Sequence, residues 1–437
     1  MEWYTFLLLF FAALIVVLLA RVPVSFAMLG VGIAACLVVF GSVAQTGDLV
    51  GLSIISSVNS FTFSAIPLFI LMGEMLFRSR IAQDALVEIA HILRKVPGRM
   101  PMVAVAGGGA FGVLSGSALA NTALFGRTLL PRMRQEGYDP QLAAGAILAS
   151  GGLAMILPPS AIAILWGGIA QVPIGPLLIA GIVPVALMAA GYACIVIVWS
   201  LRRTTAPHGA AEVRGAMGGG GTAVRLAMPG ALVAMVLGLI LFGVATPTES
   251  AALGAVLAGA LSVSRGRLTA KDILSAARST VMTSAAIFFL VMASSVYGQL
   301  MNYVGVTGRL VEWTAATINH GAVMLAAVLL IIILLGAMID QASIMLVTAP
   351  LLMPIAAGYG WDPIWFSILV LISLQIGNTS PPFGMGLFIL KGVAPEYTLP
   401  QLYRATLPWI GSDLLVIVLV ALFPAVATYL PALAGLT

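Results

Sequence analysis

The chain of 437 residues is 61% hydrophobic and only 8% charged, with a mean hydropathy of +1.12. A water-soluble domain carries about a quarter charged residues, so this composition excludes one and points to a polytopic membrane protein with the bilayer as its solvent. The net charge of +5 does not imply nucleic acid, because the basic residues sit in short loops between apolar runs, where they set membrane orientation.

In chain order, apolar runs of spanning length occupy 4–20, 22–41, 49–77, 174–200, 226–245, 248–264, 279–302 and 405–431. Each exceeds or approaches the roughly 20 residues a crossing helix needs. The first follows Met1-Glu2 with no basic leader or small-residue cleavage pattern, and is expected to be a retained span. Cys36 and Cys194 both fall in apolar runs and are expected to pack inside the protein, not to form a disulfide framework. Glu74 precedes Arg78 by one helical turn and is expected to pair with it. Segments 80–95 and 304–318 are amphipathic and read as interfacial arms.

Segment 100–131 is apolar, yet Arg94, Lys95 and Arg99 precede it and Arg132 and Arg134 follow it. Both ends therefore belong on one side, and about thirty residues cannot make two full crossings. A re-entrant hairpin is expected, its tip at residues 114–122 near mid-membrane. Segment 201–225, polar, basic and glycine-rich, reads as a cytoplasmic linker.

Beyond the linker the chain repeats itself at an offset of 223 residues: Pro131 falls on Pro354, Gly137, Asp139 and Pro140 on Gly360, Asp362 and Pro363, Ser150 on Ser373, and Pro158-Pro159 on Pro381-Pro382, without a gap. This is an internal duplication. It predicts a second hairpin at 321–356 and broken helices at 140–170 and 363–392, each interrupted at its proline pair. Counting spans from a periplasmic N-terminus places Arg21, Arg78, Arg80, Arg94 to Arg99, Arg127 to Arg134, Arg202 to Arg225, Arg265 to Arg278, Lys391 and Arg404 inside, with Arg309 alone opposite. The same count brings the second hairpin in from the opposite face, so the repeats are inverted. The expected fold is an all-α polytopic membrane protein: scaffold helices in 1–60, a first repeat in 61–200, the linker, further scaffold helices in 226–278, and a second repeat in 279–437. In such folds substrate and coupling ions sit where the breaks meet.

Asp340 at the second hairpin tip is the acidic residue most deeply set among apolar neighbours. An ionised carboxylate there reads as a sodium ligand, a proton carrier or a cap for the hairpin. Ser343, Asn378, Thr379 and Ser380 offer only oxygen, which suits a hard cation. In the first half Ser115, Ser117, Asn121 and Thr122 would face Ser150, Gly151, Gly152 and Ser160. Arg127 could reach a substrate carboxylate or snorkel to the interface, and Asp413, within an apolar run, is left without a role. The three lysines, Lys95, Lys271 and Lys391, none preceded by glycine, exclude a phosphate-binding loop, and no hydrolase or metalloprotease motif is present. An ATPase and an intramembrane enzyme are thereby disfavoured. A passive channel would need a continuous polar stripe, whereas polarity here concentrates at two breaks.

The combination of Ser115-Gly116-Ser117 with Ala120-Asn121, Ala149-Ser150-Gly151-Gly152 leading to Leu157-Pro158-Pro159-Ser160, Thr246-Pro247-Thr248-Glu249, and Pro381-Pro382-Phe383-Gly384 resembles the large membrane subunit of tripartite ATP-independent periplasmic (TRAP) transporters. The resemblance implies a sodium-gradient-driven importer of an organic acid such as a dicarboxylate or sialic acid, working as an elevator in the bacterial inner membrane. It implies a small four-helix membrane subunit and a periplasmic substrate-binding protein as partners, Na+ as the coupling ion and no other cofactor. Ion ligation then falls to Ser115, Ser117, Asn121, Gly151, Asp340, Ser343, Asn378 and Thr379, and substrate contact to Asn121, Thr122, Ser160, Ser380 and Arg127. The alternative is a stand-alone inverted-repeat anion transporter.

Overall fold

The computed structural model describes residues 2–435 apart from 60, 80, 116, 117, 159, 203–221 and 319. The described residues are helical, with no strand among them. The first layer comprises α1 (Trp3–Leu19), α2 (Val24–Phe40), α3 (Val43–Val58) and α4 (Ala65–Arg78), followed by α5 (Ile81–Ile92). The first hairpin is α6 (Arg99–Ser115) and α7 (Ala118–Thr128), and α8 (Leu130–Gln135) leads on to the broken pair α9 (Pro140–Ile156) and α10 (Ala161–Ile169). Then come α11 (Ile174–Ala180), α12 (Ile182–Arg202), α13 (Thr222–Leu241), α14 (Pro247–Ser264), α15 (Ala270–Tyr303) and α16 (Val306–Thr317). The second hairpin is α17 (Gly321–Gly336) with α18 (Gln341–Gly358), the second broken pair α19 (Pro363–Thr379) with α20 (Met385–Val393), and α21 (Leu399–Leu422) and α22 (Ala425–Leu433) close the chain.

The duplicated residues do the same local work in both halves. Asp139 and Asp362 cap α9 and α19: Asp139 Oδ1 accepts from Gln141 N at 2.8 Å, and Asp362 Oδ1 from Trp365 N at 2.8 Å. Each is followed by proline at the first helical position, where its missing N–H is not needed. Gly137 and Gly360 supply the left-handed turns before them, at φ +76° and +67°.

α9 and α19 are the central helices. Leu142 to Ile156 and Ile364 to Thr379 are buried on every face, the mark of a helix enclosed by others. The hairpins pack on them through small residues: a Cβ at Gly112 of α6 would lie 2.3 Å from Ala154 Cα, and one at Gly336 of α17 would lie 2.8 Å from Gly377 Cα. The neighbours also exchange between halves, α7 packing on α20 and α18 on α10. A separate apolar cluster joins Phe6, Phe10 and Met28 of α1 and α2 to Tyr297 and Leu300 of α15. Its outer face carries exposed Leu8, Val16, Leu19 and Val38, which suits lipid.

Among the described residues four helices are long and apolar enough to cross a membrane, and α9 with α10, bent by 47°, makes a fifth candidate. Two expected spans are interrupted. The run 49–77 breaks into α3 and α4 around the 3-10 turn Phe61–Ser64, and 405–431 breaks between α21 and α22 at Phe423-Pro424. The segments read as interfacial arms are α5 and α16. The Glu74–Arg78 pair forms, Arg78 Nε donating to Glu74 Oε2 at 2.9 Å, and Ser279 Oγ on α15 donates to the other carboxylate oxygen at 2.8 Å. Cys36 is buried, but Cys194 is exposed; an apolar position on an outer helix satisfies itself against lipid and needs no protein cover. Most of linker 201–225 lies outside the described residues.

Candidate functional site

The helix breaks and hairpin turns bring helix ends together beside buried residues, Ala118, Ser160, Ser343 and Thr379, although Met338, Phe383 and Met385 are exposed. By chain direction, α7, α10, α18 and α20 begin there and α6, α9, α17 and α19 end there. Four positive helix ends, of the kind that suits anionic groups, and four carbonyl ends, of the kind that suits cations, thus meet the breaks and turns.

In the first half the α7 turn lies against α9. Asn121, fully buried, donates through Nδ2 to the carbonyls of Gly108 at 3.3 Å and Ser150 at 3.0 Å. This orientation leaves its Oδ1 buried with no donor. Thr122 Oγ1 donates to Ala118 O at 3.0 Å, and a Cβ at Gly151 would lie 3.0 Å from both that carbonyl oxygen and Thr122 Oγ1. Gly151 is therefore what allows the hairpin to seat. Ser160 caps α10, accepting from Ala163 N at 3.1 Å while its hydroxyl donates to Met155 O across the break. Ser117 lies outside the described residues, and so do Gly116, Pro159 and the side chain of Ser115.

In the second half Asp340, half-buried, is the N-cap of α18. Its Oδ1 accepts from Ser343 N at 3.0 Å, and its Oδ2 accepts from the Ser343 hydroxyl. The hairpin cap is the role these contacts fill, and it engages both carboxylate oxygens. Asn378, Thr379 and Ser380 are buried at the end of α19. Thr379 Oγ1 donates back to Ile376 O at 3.2 Å and Ser380 Oγ to Ile376 O at 2.7 Å. The returning chain passes close: a Cβ at Gly386 would lie 3.3 Å from Asn378 O and 3.6 Å from Leu148 Cδ2 of α9. The second break thus abuts the first half's central helix.

Arg127 does not join either break. It is exposed in the last turn of α7, nine residues and about 13 Å of helix rise from Ala118. The Thr246-Pro247-Thr248-Glu249 motif also has a local job, a capping box in which Glu249 Oε2 accepts from Thr246 N at 2.8 Å.

One residue at the centre escaped sequence reasoning. Gln375 of α19 is fully buried, and neither its Oε1 nor its Nε2 has a partner. It packs on Gly152, where a Cβ would lie 2.1 Å from Gln375 Nε2. Gly152 and Gln375 are counterparts at the 223-residue offset, so the two repeats touch at equivalent positions, one lending the space that the other's amide fills. The sequence signal was a glutamine facing a glycine across the repeat alignment, with the glycine's role invisible until the helices meet.

Matched hairpins, broken central helices and lipid-suited outer faces define a multi-pass membrane transporter component. The sequence matches the family described as "Tripartite ATP-independent periplasmic transporter, DctM component" over residues 11–426, and the chain belongs to that family. The family is a transporter permease and not an enzyme. The chain is 28% identical to the C4-dicarboxylate TRAP transporter large permease protein of Rhodobacter capsulatus, covering 98% of this chain and 99% of the relative. It is 27% identical to the sialic acid large permease of Vibrio cholerae, over 95% and 96%, and 27% to the ectoine large permease of Halomonas elongata, over 97% and 98%. Two solved transporters share the fold: Neisseria gonorrhoeae MtrF, at TM-score 0.60 and 12% identity over 90% of this chain and 85% of that one, and Alcanivorax borkumensis YdaH, at 0.54 and 16% over 85% and 87%.

Proposed function

We propose that this chain is the large membrane subunit of a sodium-gradient-driven importer of an organic acid, working in the bacterial inner membrane with its N-terminus periplasmic. The observation that carries the proposal is the pair of matched hairpins and broken helices, which gathers buried oxygen donors, Asn121 Oδ1 and the Asn378–Ser380 turn, at helix ends. Oxygen-only surroundings suit a hard cation, and the helix N-termini at the same breaks suit a carboxylate. Sodium is held by the two hairpin tips and breaks, at Ser115, Ser117, Asn121 and Gly151 and at Asp340, Ser343, Asn378 and Thr379. The acid contacts Asn121, Thr122, Ser160 and Ser380.

The repeats are inverted, and the hairpins with their broken helices move as one body against α1–α4 and α13–α15. A small four-helix membrane subunit and a periplasmic binding protein complete the system, and the organic acids named for the relatives above indicate the substrate class. The test is uptake into proteoliposomes holding this chain, its small subunit and the binding protein, with candidate dicarboxylates, sialic acid and ectoine. Uptake that needs an inward sodium gradient and the binding protein is expected; uptake by this chain alone, indifferent to sodium, refutes the proposal.

A further inference from the structure

α12 and α21 leave a groove between them on the outer surface, with a volume of about 350 Å³. Its walls are Cys194, Ile195, Val198 and Trp199 of α12 and Pro408 of α21, and Arg202 stands at its end. Cys194, Val198 and Arg202 are spaced four residues apart, so they form one stripe along about 12 Å of helix. The stripe is apolar for two turns and then cationic. α21 adds a second cation at the same end, because exposed Arg404 lies one turn before Pro408 on the same face. Arg202 and Arg404 have no carboxylate partner among the ion pairs of the described residues.

An apolar slot with two cations at one end matches a molecule with a hydrocarbon chain and an anionic head. The geometry points to a binding site for an anionic phospholipid: one acyl chain lies along Cys194, Val198 and Pro408, and the headgroup phosphate sits between Arg202 and Arg404. Basic pockets between membrane helices hold such headgroups, and the bidentate guanidinium suits phosphate. A docked helix from another protein would leave both arginines facing an apolar surface, which disfavours that occupant.

The experiment measures lipid binding to the purified chain by native mass spectrometry and by the lipid-induced rise in melting temperature, comparing phosphatidylglycerol with phosphatidylcholine of the same acyl chains. Phosphatidylglycerol is expected to bind preferentially. Arg202→Gln and Arg404→Gln should each weaken it about five-fold, and the double variant roughly 25-fold, with phosphatidylcholine, whose choline cation offsets its phosphate, weakened much less. Val198→Trp, which fills the slot and keeps both charges, should weaken both lipids. Equal affinity for the two lipids in the wild type, or an unchanged preference in the double variant, overturns the proposal.

Discussion

Asp340 is a half-buried helix cap and is proposed to hold sodium, and the two roles can be separated by one atom. Asparagine caps a helix about as well as aspartate, so Asp340→Asn should still accept from Ser343 N and keep the hairpin folded while removing the charge. Melting should change by less than about 1 kcal/mol, and sodium-dependent uptake should be lost; unchanged sodium dependence would remove Asp340 from the ion site. Gln375 poses the reverse case. A buried amide with no partner costs about 1–3 kcal/mol per unsatisfied group, and leucine fills the same space without that cost. Gln375→Leu should leave the melting temperature equal or higher and, if this polar group is kept at a structural loss for transport, reduce uptake. A variant that is more stable and fully active would make Gln375 a packing residue. Away from the site, Tyr192 donates to Asp413 at 2.7 Å between α12 and α21, and both are buried. Asp413→Ala strands that hydroxyl and should cost about 1–3 kcal/mol by thermal unfolding, with Asp413→Asn restoring most of it.

At the scale of elements, contact between hairpin and central helix is backbone to backbone. Gly336→Ala would set a methyl 2.8 Å from Gly377 Cα, and neither helix has a side chain to yield, so a loss of about 1–3 kcal/mol is expected. Gly51→Ala in α3, where nothing lies within 4 Å, is the control and should stabilise by roughly 0.5–1 kcal/mol. Equal effects at the two sites in thermal unfolding would show that the α17–α19 approach carries no strain. The central helices were legible because proline and capping aspartate mark boundaries locally: α9 and α19 begin at Pro140 and Pro363 and end within a few residues of Pro158 and Pro381. The interruption of 49–77 was not, because Phe61 and Phe63 continue the apolar run across the turn, and only the scattered polar residues from Ser56 to Ser64 give a sign. Arg127 was read from its place near the hairpin, yet which way a helical side chain faces depends on the neighbour, here α20 against Gly126. Gln375 depends on an inter-repeat contact, and no single window contains it.

For the whole molecule the decisive property is the direction of the second repeat. By the positive-inside rule the basic residues around the first hairpin, Arg94 to Arg99 and Arg132 to Arg134, are expected to put its base on the cytoplasmic side. The second hairpin has few charges to fix it, so its orientation rests on counting crossings through α11–α15, and an error of one crossing would make the repeats parallel. Each base offers an exposed reporter: Gln135 after the first hairpin and His320 before the second. In a background with Cys36 and Cys194 replaced by serine, Gln135→Cys should react with an impermeant maleimide only in inside-out vesicles, and His320→Cys only in intact spheroplasts. Both sites lie outside the breaks, so their labelling should hold in either transport state. Labelling of both from one face would leave the two sets of helix ends pointing the same way, and neither alternating access nor a shared midplane site would survive.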